Sequence, residues 1–220
     1  MNIGIIGAGK IGGTLARRLT EVGHSVEIAN SRGPETLGDL SRDTGARAVT
    51  AEEAVRGKDV IILTIPMKAV AKLPAALFRD VPSSTPVIDT CNYYPRERDG
   101  RIEAIEDGLT ESEWVAQQIG HPTIKVFNNI QFKRLGADGK PKGDPKRLAL
   151  PVSGDDATQK QIVMDLVDAV GFDPIDNGPL ANSWRHQPGT PGYVNNENAE
   201  GVRRQLADAR RDRVPQFKAA

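Results

Sequence analysis

Short, unbroken runs of Val, Ile and Ala punctuate the chain, and between them apolar positions return every three to four residues. Continuous runs of this kind predict strands covered on both faces rather than half-exposed ones. They lie near Asn2–Ile6, Ser25–Ala29, Val60–Thr64, Val87–Asp89, Thr123–Phe127, Ala149–Val152 and Asp173–Ile175. The intervening spacing predicts helices at Ile11–Val22, Pro34–Asp43, Ala51–Arg56, Met67–Leu77, Glu111–Ile119 and Ala157–Val170. In the last of these Ile162, Leu166 and Val170 recur four residues apart, so one face is apolar. Gly23 and Gly171 stand where left-handed C-caps are favoured, and Asp155 or Asp156 can cap the last helix.

Strand–helix alternation predicts an α/β fold, a doubly wound and mostly parallel Rossmann sheet with helices on both faces. Two segments break the rhythm. "KRLGADGKPKGDPKR" (Lys133–Arg147) reads as a Gly/Pro/Lys-rich loop. Beyond Pro179, "GPLANSWRHQPGTPGY" reads as loop and "NENAEGVRRQLADARRDR" as a polar, highly charged helix. The apolar set of that helix, Val202 and Leu206, is compatible with a solvent-exposed element or with one packed on a partner subunit. The expected organisation is one α/β domain over residues 1–180 and a small helical and loop appendage over 181–220.

Charge and cysteine content narrow the function classes. Twenty-nine basic residues balance 29 acidic ones, so bulk charge recommends neither nucleic acid nor a membrane surface as partner. No apolar stretch is long enough to span a bilayer. The sequence opens directly on a strand, without a basic flank or a cleavage site, and a cytoplasmic location is expected. A lone cysteine, Cys91, excludes internal disulfides, and the three histidines show no ligand spacing, so no metal is expected.

The chemistry begins at the first turn. "GAGKIG" places Gly7, Ala8, Gly9, Lys10, Ile11 and Gly12 between a strand and an amphipathic helix. Gly7 permits the tight reversal, Gly9 lets backbone approach a pyrophosphate, and Gly12 lets the helix pack against the sheet. The helix N-terminus then offers free N–H groups to phosphate oxygens. At the end of the second strand, where an acid would accept from a ribose 2′-hydroxyl, this chain has Asn30, Ser31 and Arg32. A hydroxyl and a guanidinium suit a 2′-phosphate, so NADP(H) is expected over NAD(H).

With these pieces in place the chain resembles the NADPH-dependent coenzyme F420 reductases, also called F420:NADP oxidoreductases. Related Rossmann domains form the cytosolic part of six-transmembrane ferric reductases. The resemblance rests on "GAGKIG", "NSRG", "LTIP" (Leu63–Pro66), "VSGDD" (Val152–Asp156) and "DNGPLANS" (Asp176–Ser183), over about the first 185 residues. It implies that Gly7, Gly9, Lys10, Ile11 and Gly12 hold the pyrophosphate and that Ser31 and Arg32 hold the 2′-phosphate. Thr64, Ile65, Pro66 and Met67, with Cys91, Asn92, Phe127 and Asn128, would then line the nicotinamide side. The chain departs from the family pattern in two places. Thr36 stands where a second basic residue often helps, and the polar continuation after "GPLANS" replaces an apolar segment.

Hydride transfer to a flavin-like ring needs stacking and water exclusion more than acid–base help. The expected function is therefore an NADPH-dependent oxidoreductase passing a hydride to a planar acceptor such as F420 or a flavin. Homodimers are common in the family. Reduction of a small carbonyl or imine is the alternative enzyme, with His186 or Tyr93 as proton donor, and an NADP-binding sensor is the non-enzymatic one. Cys91, Trp184 and His186 are the catalytic candidates on the acceptor side. Tyr93, Tyr94, Trp184 and Tyr193 are candidates to wall a planar ring, Trp184 favoured because it adjoins "GPLANS". His24 and His121 are read as turn and surface-loop residues. Lys125 and Asn129, a KxxxN pair resembling that of β-hydroxyacid dehydrogenases, lie in a β-rich run and are read as coincidental. The basic loop Lys133–Arg147 could attract an acidic acceptor tail.

Overall fold

Residues 3–6 of the first strand are fully buried Ile and Gly, and they pair in parallel with a neighbour on each side, Val26–Ala29 and Val60–Leu63. The computed structural model describes residues 1–194, 196–212 and 214–219. In chain order the elements are β1 (Asn2–Ile6), α1 (Lys10–Glu21), β2 (Ser25–Ala29), α2 (Gly38–Thr44), β3 (Arg47–Ala48), α3 (Ala51–Val55), β4 (Val60–Leu63), α4 (Met67–Val70) and β5 (Val87–Asp89). There follow α5 (Glu103–Glu106), α6 (Glu111–Ile119), β6 (Ile124–Lys125), α7 (Phe132–Ala137), β7 (Ala149–Val152), α8 (Ala157–Ala169), β8 (Asp173–Asp176) and α9 (Ala199–Asp208). Six strands form one parallel sheet in the order β3-β2-β1-β4-β5-β6. Strand order reverses between β1 and β4, which opens a crevice at the carboxyl ends of the strands there.

Alternate residues of β4 explain the two faces. Val60 and Ile62 pack with Leu15 and Leu19 of α1 and Val163 and Leu166 of α8. Ile61 and Leu63 point the other way, onto Val55, Met67, Trp114 and Val115. Two of the helices on this second face begin with reciprocal caps, Thr50 with Glu53 and Thr110 with Glu113, which satisfy their first free N–H groups.

Several elements differ from the sequence-based expectation. The strand expected over Thr123–Phe127 is limited to Ile124–Lys125, because Phe127 adopts φ +61° and leaves the extended region. The helix expected over Met67–Leu77 stops at Val70, a few residues before Pro74, which offers no N–H and disfavours helix at Leu73. The expected helix Pro34–Asp43 is a 3-10 turn, Pro34–Leu37, followed by α2. Part of the expected loop Lys133–Arg147 is helical instead: α7 buries Leu135, and Gly136 lies close to Thr14 of α1.

The last two strands do not extend the main sheet. β7 and β8 pair in parallel as a separate ribbon. It is tied to β6 by a single antiparallel bridge, Lys125 N–H to Ser153 O at 2.8 Å and the reverse bond at 3.1 Å. α9 covers this ribbon, with Val202 and Leu206 buried against Ala149 and Ile175. The apolar face of the charged helix is therefore used within the chain. Arg213, which the sequence reading gave to that helix, lies outside the described residues. No described helix is long and apolar enough to cross a membrane.

Candidate functional site

The turn from β1 into α1 is built by three glycines with different surroundings. Gly7 has φ +115°, and a Cβ there would fall 2.1 Å from Thr64 O. A Cβ on Gly12 would fall 1.9 Å from Gly7 O. These two positions are closed by backbone, which fixes the distance between α1 and the sheet. Gly9 is the opposite case, with nothing within 4 Å of a Cβ. It caps α1 without any side-chain hydrogen bond, and the first turn of α1 contains no acid. By contrast α3, α6 and α8 carry Thr or Asp caps. The free N–H groups of α1 thus face open space with their positive dipole end uncompensated, as an anion site requires.

From this turn a cleft of about 450 Å³ runs along the carboxyl ends of β1, β4, β5 and β6. Of the sequence-predicted residues, Gly9, Lys10, Ile11, Thr64, Ile65, Pro66, Cys91, Asn92, Phe127 and Asn128 all line it. Gly7, Ala8 and Gly12 form the turn beneath without lining it. Met67 faces the core, fully buried against the second apolar cluster.

Asn30, Ser31 and Arg32 lie outside the cleft at the end of β2. Asn30 Oδ1 accepts the Arg32 N–H at 2.9 Å, and Asn30 Nδ2 donates to Thr36 Oγ1 at 2.9 Å. Thr36, the residue in place of a second cation, closes the turn by donating to Gly33 O at 2.8 Å. The Ser31 and Arg32 side chains remain exposed, and among the described residues the Arg32 guanidinium has no ion pair.

The catalytic candidates separate. Cys91 lines the cleft, but its thiol is buried, and burial together with Asp89 pushes its pKa well up, so it is no thiolate. His186 is fully buried and does not line the cleft. Its Nδ1 lies 3.0 Å from Asn128 Oδ1 and its Nε2 3.0 Å from Ser153 Oγ. Asn128 Oδ1 can only accept, so Nδ1 carries the proton, and Nε2 accepts from the Ser153 hydroxyl, whose oxygen in turn accepts from Asn177 Nδ2. Burial, then the Lys125 charge, lower the His186 pKa to about 3. It is a neutral brace holding Asn128. Trp184 lines a separate cavity, with the guanidinium groups of Arg185 and Arg211 4.6 Å and 6.0 Å from its ring centre. Tyr93 is buried and does not line the cleft; its hydroxyl accepts the Ile102 N–H at 2.9 Å.

His121, expected on the surface, is instead buried, with ring nitrogens 2.8 Å from Pro122 O and 3.0 Å from Pro82 O. Lys125 and Asn129 do not share a helical face, since Lys125 is in β6. Tyr94 and Tyr193 do reach the cleft, and Arg98, Phe132 and Val194 join them there unforeseen. Lys10 lies over the Phe132 ring at 5.1 Å. Phe132 had a local signal, an aromatic directly after "KVFNNIQ"; Arg98 and Val194 had none.

Strain gathers at the same place. Phe127 (φ +61°) and Val194 (φ +49°) are the non-glycine residues with positive φ among the described residues, and both line this cleft. Such conformations persist where surrounding contacts over-determine them, commonly at ligand sites. No group of His, Cys, Asp or Glu among the described residues could hold a metal ion.

Residues 2–93, which carry the glycine turn, the Arg32 turn and the Cys91–Asn92 edge of the cleft, match the family described as NADP oxidoreductase, coenzyme F420-dependent. The metalloreductase STEAP3 of Rattus norvegicus is 29% identical over 182 residues, covering 82% of this chain and 34% of its own. The chain spans well under half the length of the curated relatives it matches. A solved structure of the hypothetical protein SMa0349 from Sinorhizobium meliloti is 31% identical, covers 89% of this chain and 94% of that one, and superposes with a TM-score of 0.75. A candidate F420-dependent NADP reductase from Arthrobacter, 18% identical, shares the fold with a TM-score of 0.65 over 83% of this chain and 86% of that one. Sequence and architecture agree: the chain has a Rossmann-type fold, and its residues 2–93 match the coenzyme F420-dependent NADP oxidoreductase family.

Proposed function

We propose that the protein binds NADP(H) across the β1/β4 crevice and passes a hydride between its nicotinamide and a planar redox acceptor of the F420 or flavin type. The observation that carries this reading is the uncapped, acid-free start of α1 at Gly9, opening onto the cleft. Arg32, held by Asn30 at the end of β2, stands ready for the 2′-phosphate. Bound nicotinamide supplies the two-electron carrier. The chain supplies the rest. N–H groups of α1 and Lys10 take the pyrophosphate, and Thr64, Ile65 and Pro66 with Cys91 and Asn92 form one wall. Phe127 and Asn128 form the floor, and Tyr94, Tyr193 and Val194 close the acceptor side. On this assignment the segment after residue 180 contributes to the acceptor pocket. A cytoplasmic homodimer is the expected working form.

Fluorescence titration with NADPH and NADH, followed by anaerobic spectroscopy with NADPH and F420, tests the reading. Preferential NADPH binding and matched loss of both chromophores support it. NADPH binding without F420 reduction moves the acceptor to flavins or ferric chelates. Absence of NADPH binding overturns it.

A further inference from the structure

We propose that Tyr94 and Tyr193 act as one hydrogen-bond donor to the hydride acceptor, which makes the acceptor a conjugated C=N or C=C–C=O system. This inference rests on the cofactor reading above. The two phenols come from segments 99 residues apart, yet their hydroxyl groups meet in the cleft. One hydroxyl must donate to the other, and the accepting one keeps its own proton to offer outward.

Neighbouring groups anchor the pair. The Tyr94 ring packs near the Arg98 guanidinium, 5.0 Å from its centre, and near the Phe217 ring at 6.1 Å. Tyr193 rides on a segment pinned by Asn128 Nδ2 to His186 O (2.7 Å) and by Asn129 Nδ2 to Gly192 O (3.2 Å). The strained Val194 adjoins it. Several other polar side chains lining the cleft already have partners. Thr90 donates to Leu63 O at 3.2 Å, Arg98 binds Asp99 and Asn92 O, and Lys10 lies on Phe132.

Burial raises the pKa of both phenols, so at neutral pH the pair donates and carries no charge. When a conjugated acceptor gains hydride at carbon, its π electrons move onto nitrogen or oxygen. That atom takes the proton of the outward phenol, and the phenolate recovers one from water at the cleft mouth. The acceptor thereby gains one hydride and one proton, and NADPH is oxidised to NADP⁺.

The test uses Tyr94→Phe, Tyr193→Phe and the double variant, all of which keep the rings and their packing. Riboflavin and F420 serve as probes, their binding to the NADP⁺ complex read by fluorescence without turnover. For the double variant we expect at least tenfold weaker probe binding and unchanged NADPH affinity. Its hydride transfer should slow by about 100-fold, with loss of the wild-type solvent deuterium isotope effect. Each single variant should lose less, because one hydroxyl remains. Unchanged probe binding and rate in the double variant would overturn the proposal. So would a wild-type protein that binds NADPH but neither probe, while leaving the cofactor reading intact; a protein that fails to bind NADPH removes both.

Discussion

Lys125 sets its ammonium 3.1 Å from Asp89 Oδ2, and both side chains are wholly sealed from solvent. Asp89 also accepts the Cys91 N–H at Oδ1 (2.8 Å) and the Ser112 hydroxyl, while Lys125 reaches Cys91 O. The pair therefore fixes the turn after β5 that carries Cys91 and Asn92 into the cleft. Burial alone would lower the lysine pKa, but the Asp89 and Glu111 carboxylates outweigh it and hold the group charged. Removing one partner strands the other charge. Lys125→Met should cost about 3–5 kcal/mol of stability, and Lys125→Met with Asp89→Asn should recover part of it. Urea unfolding measures both. A double variant less stable than the single would refute the compensation.

Arg32 is tethered through its backbone and free through its side chain. Asn30 fixes where the guanidinium starts, and no acid among the described residues competes for it. Arg32→Ala should weaken NADPH binding by about 10- to 100-fold, the loss of a charged hydrogen bond. NADH binding should stay unchanged. Equal losses for both nucleotides would remove the 2′-phosphate assignment. Asn30→Ala should produce a smaller loss of the same selectivity, since it loosens the turn and leaves the cation.

What the sequence made legible was local. The glycine turn and the Arg32 turn each depend on residues within a few positions, and both stand where the pattern predicted. Strands with continuous Val and Ile were equally readable, whereas β3, two residues at the sheet edge, has no apolar run to announce it. The acceptor side was less readable, because its geometry is set by distant contacts. Trp184 and Tyr193 are nine positions apart in one polar loop, and composition favours neither. Asn128 and Asn129 choose between them by pinning the His186 and Gly192 carbonyls, which carries Tyr193 into the cleft and leaves Trp184 among arginines. His186 misled for a related reason. A histidine in a polar loop reads as accessible, but here Ser153 and Asn128 take both ring nitrogens below the surface.

That buried histidine gives the protein an acid-labile brace. Its folded pKa, about 3, lies below the unfolded value of 6.5. Between these values the unfolded chain binds the proton and the native chain does not, so stability is complete above pH 6.5 and falls as pH drops toward 3. The slope contributed by this residue should approach about 1.4 kcal/mol per pH unit. His186→Gln should lower stability at neutral pH and flatten that dependence. Denaturation midpoints measured at pH 7, 6, 5 and 4 test the sign, and parallel profiles for the two proteins would contradict it.

Gly9 and Gly12 separate binding from folding in one experiment. A Cβ at Gly12 would overlap Gly7 O, so Gly12→Ala must push α1 off the sheet and should destabilise the fold along with binding. Gly9 has ordinary negative φ, and its Cβ would meet nothing within 4 Å. Gly9→Ala should therefore leave thermal stability within about 0.5 kcal/mol of wild type. The space that the new methyl would fill is where backbone N–H groups of α1 are assigned to the pyrophosphate. NADPH affinity should fall at least tenfold in Gly9→Ala, with the melting curve nearly unmoved. Retained affinity would place the phosphates elsewhere, and a collapsed melting curve would mean that Gly9 serves the fold rather than the ligand.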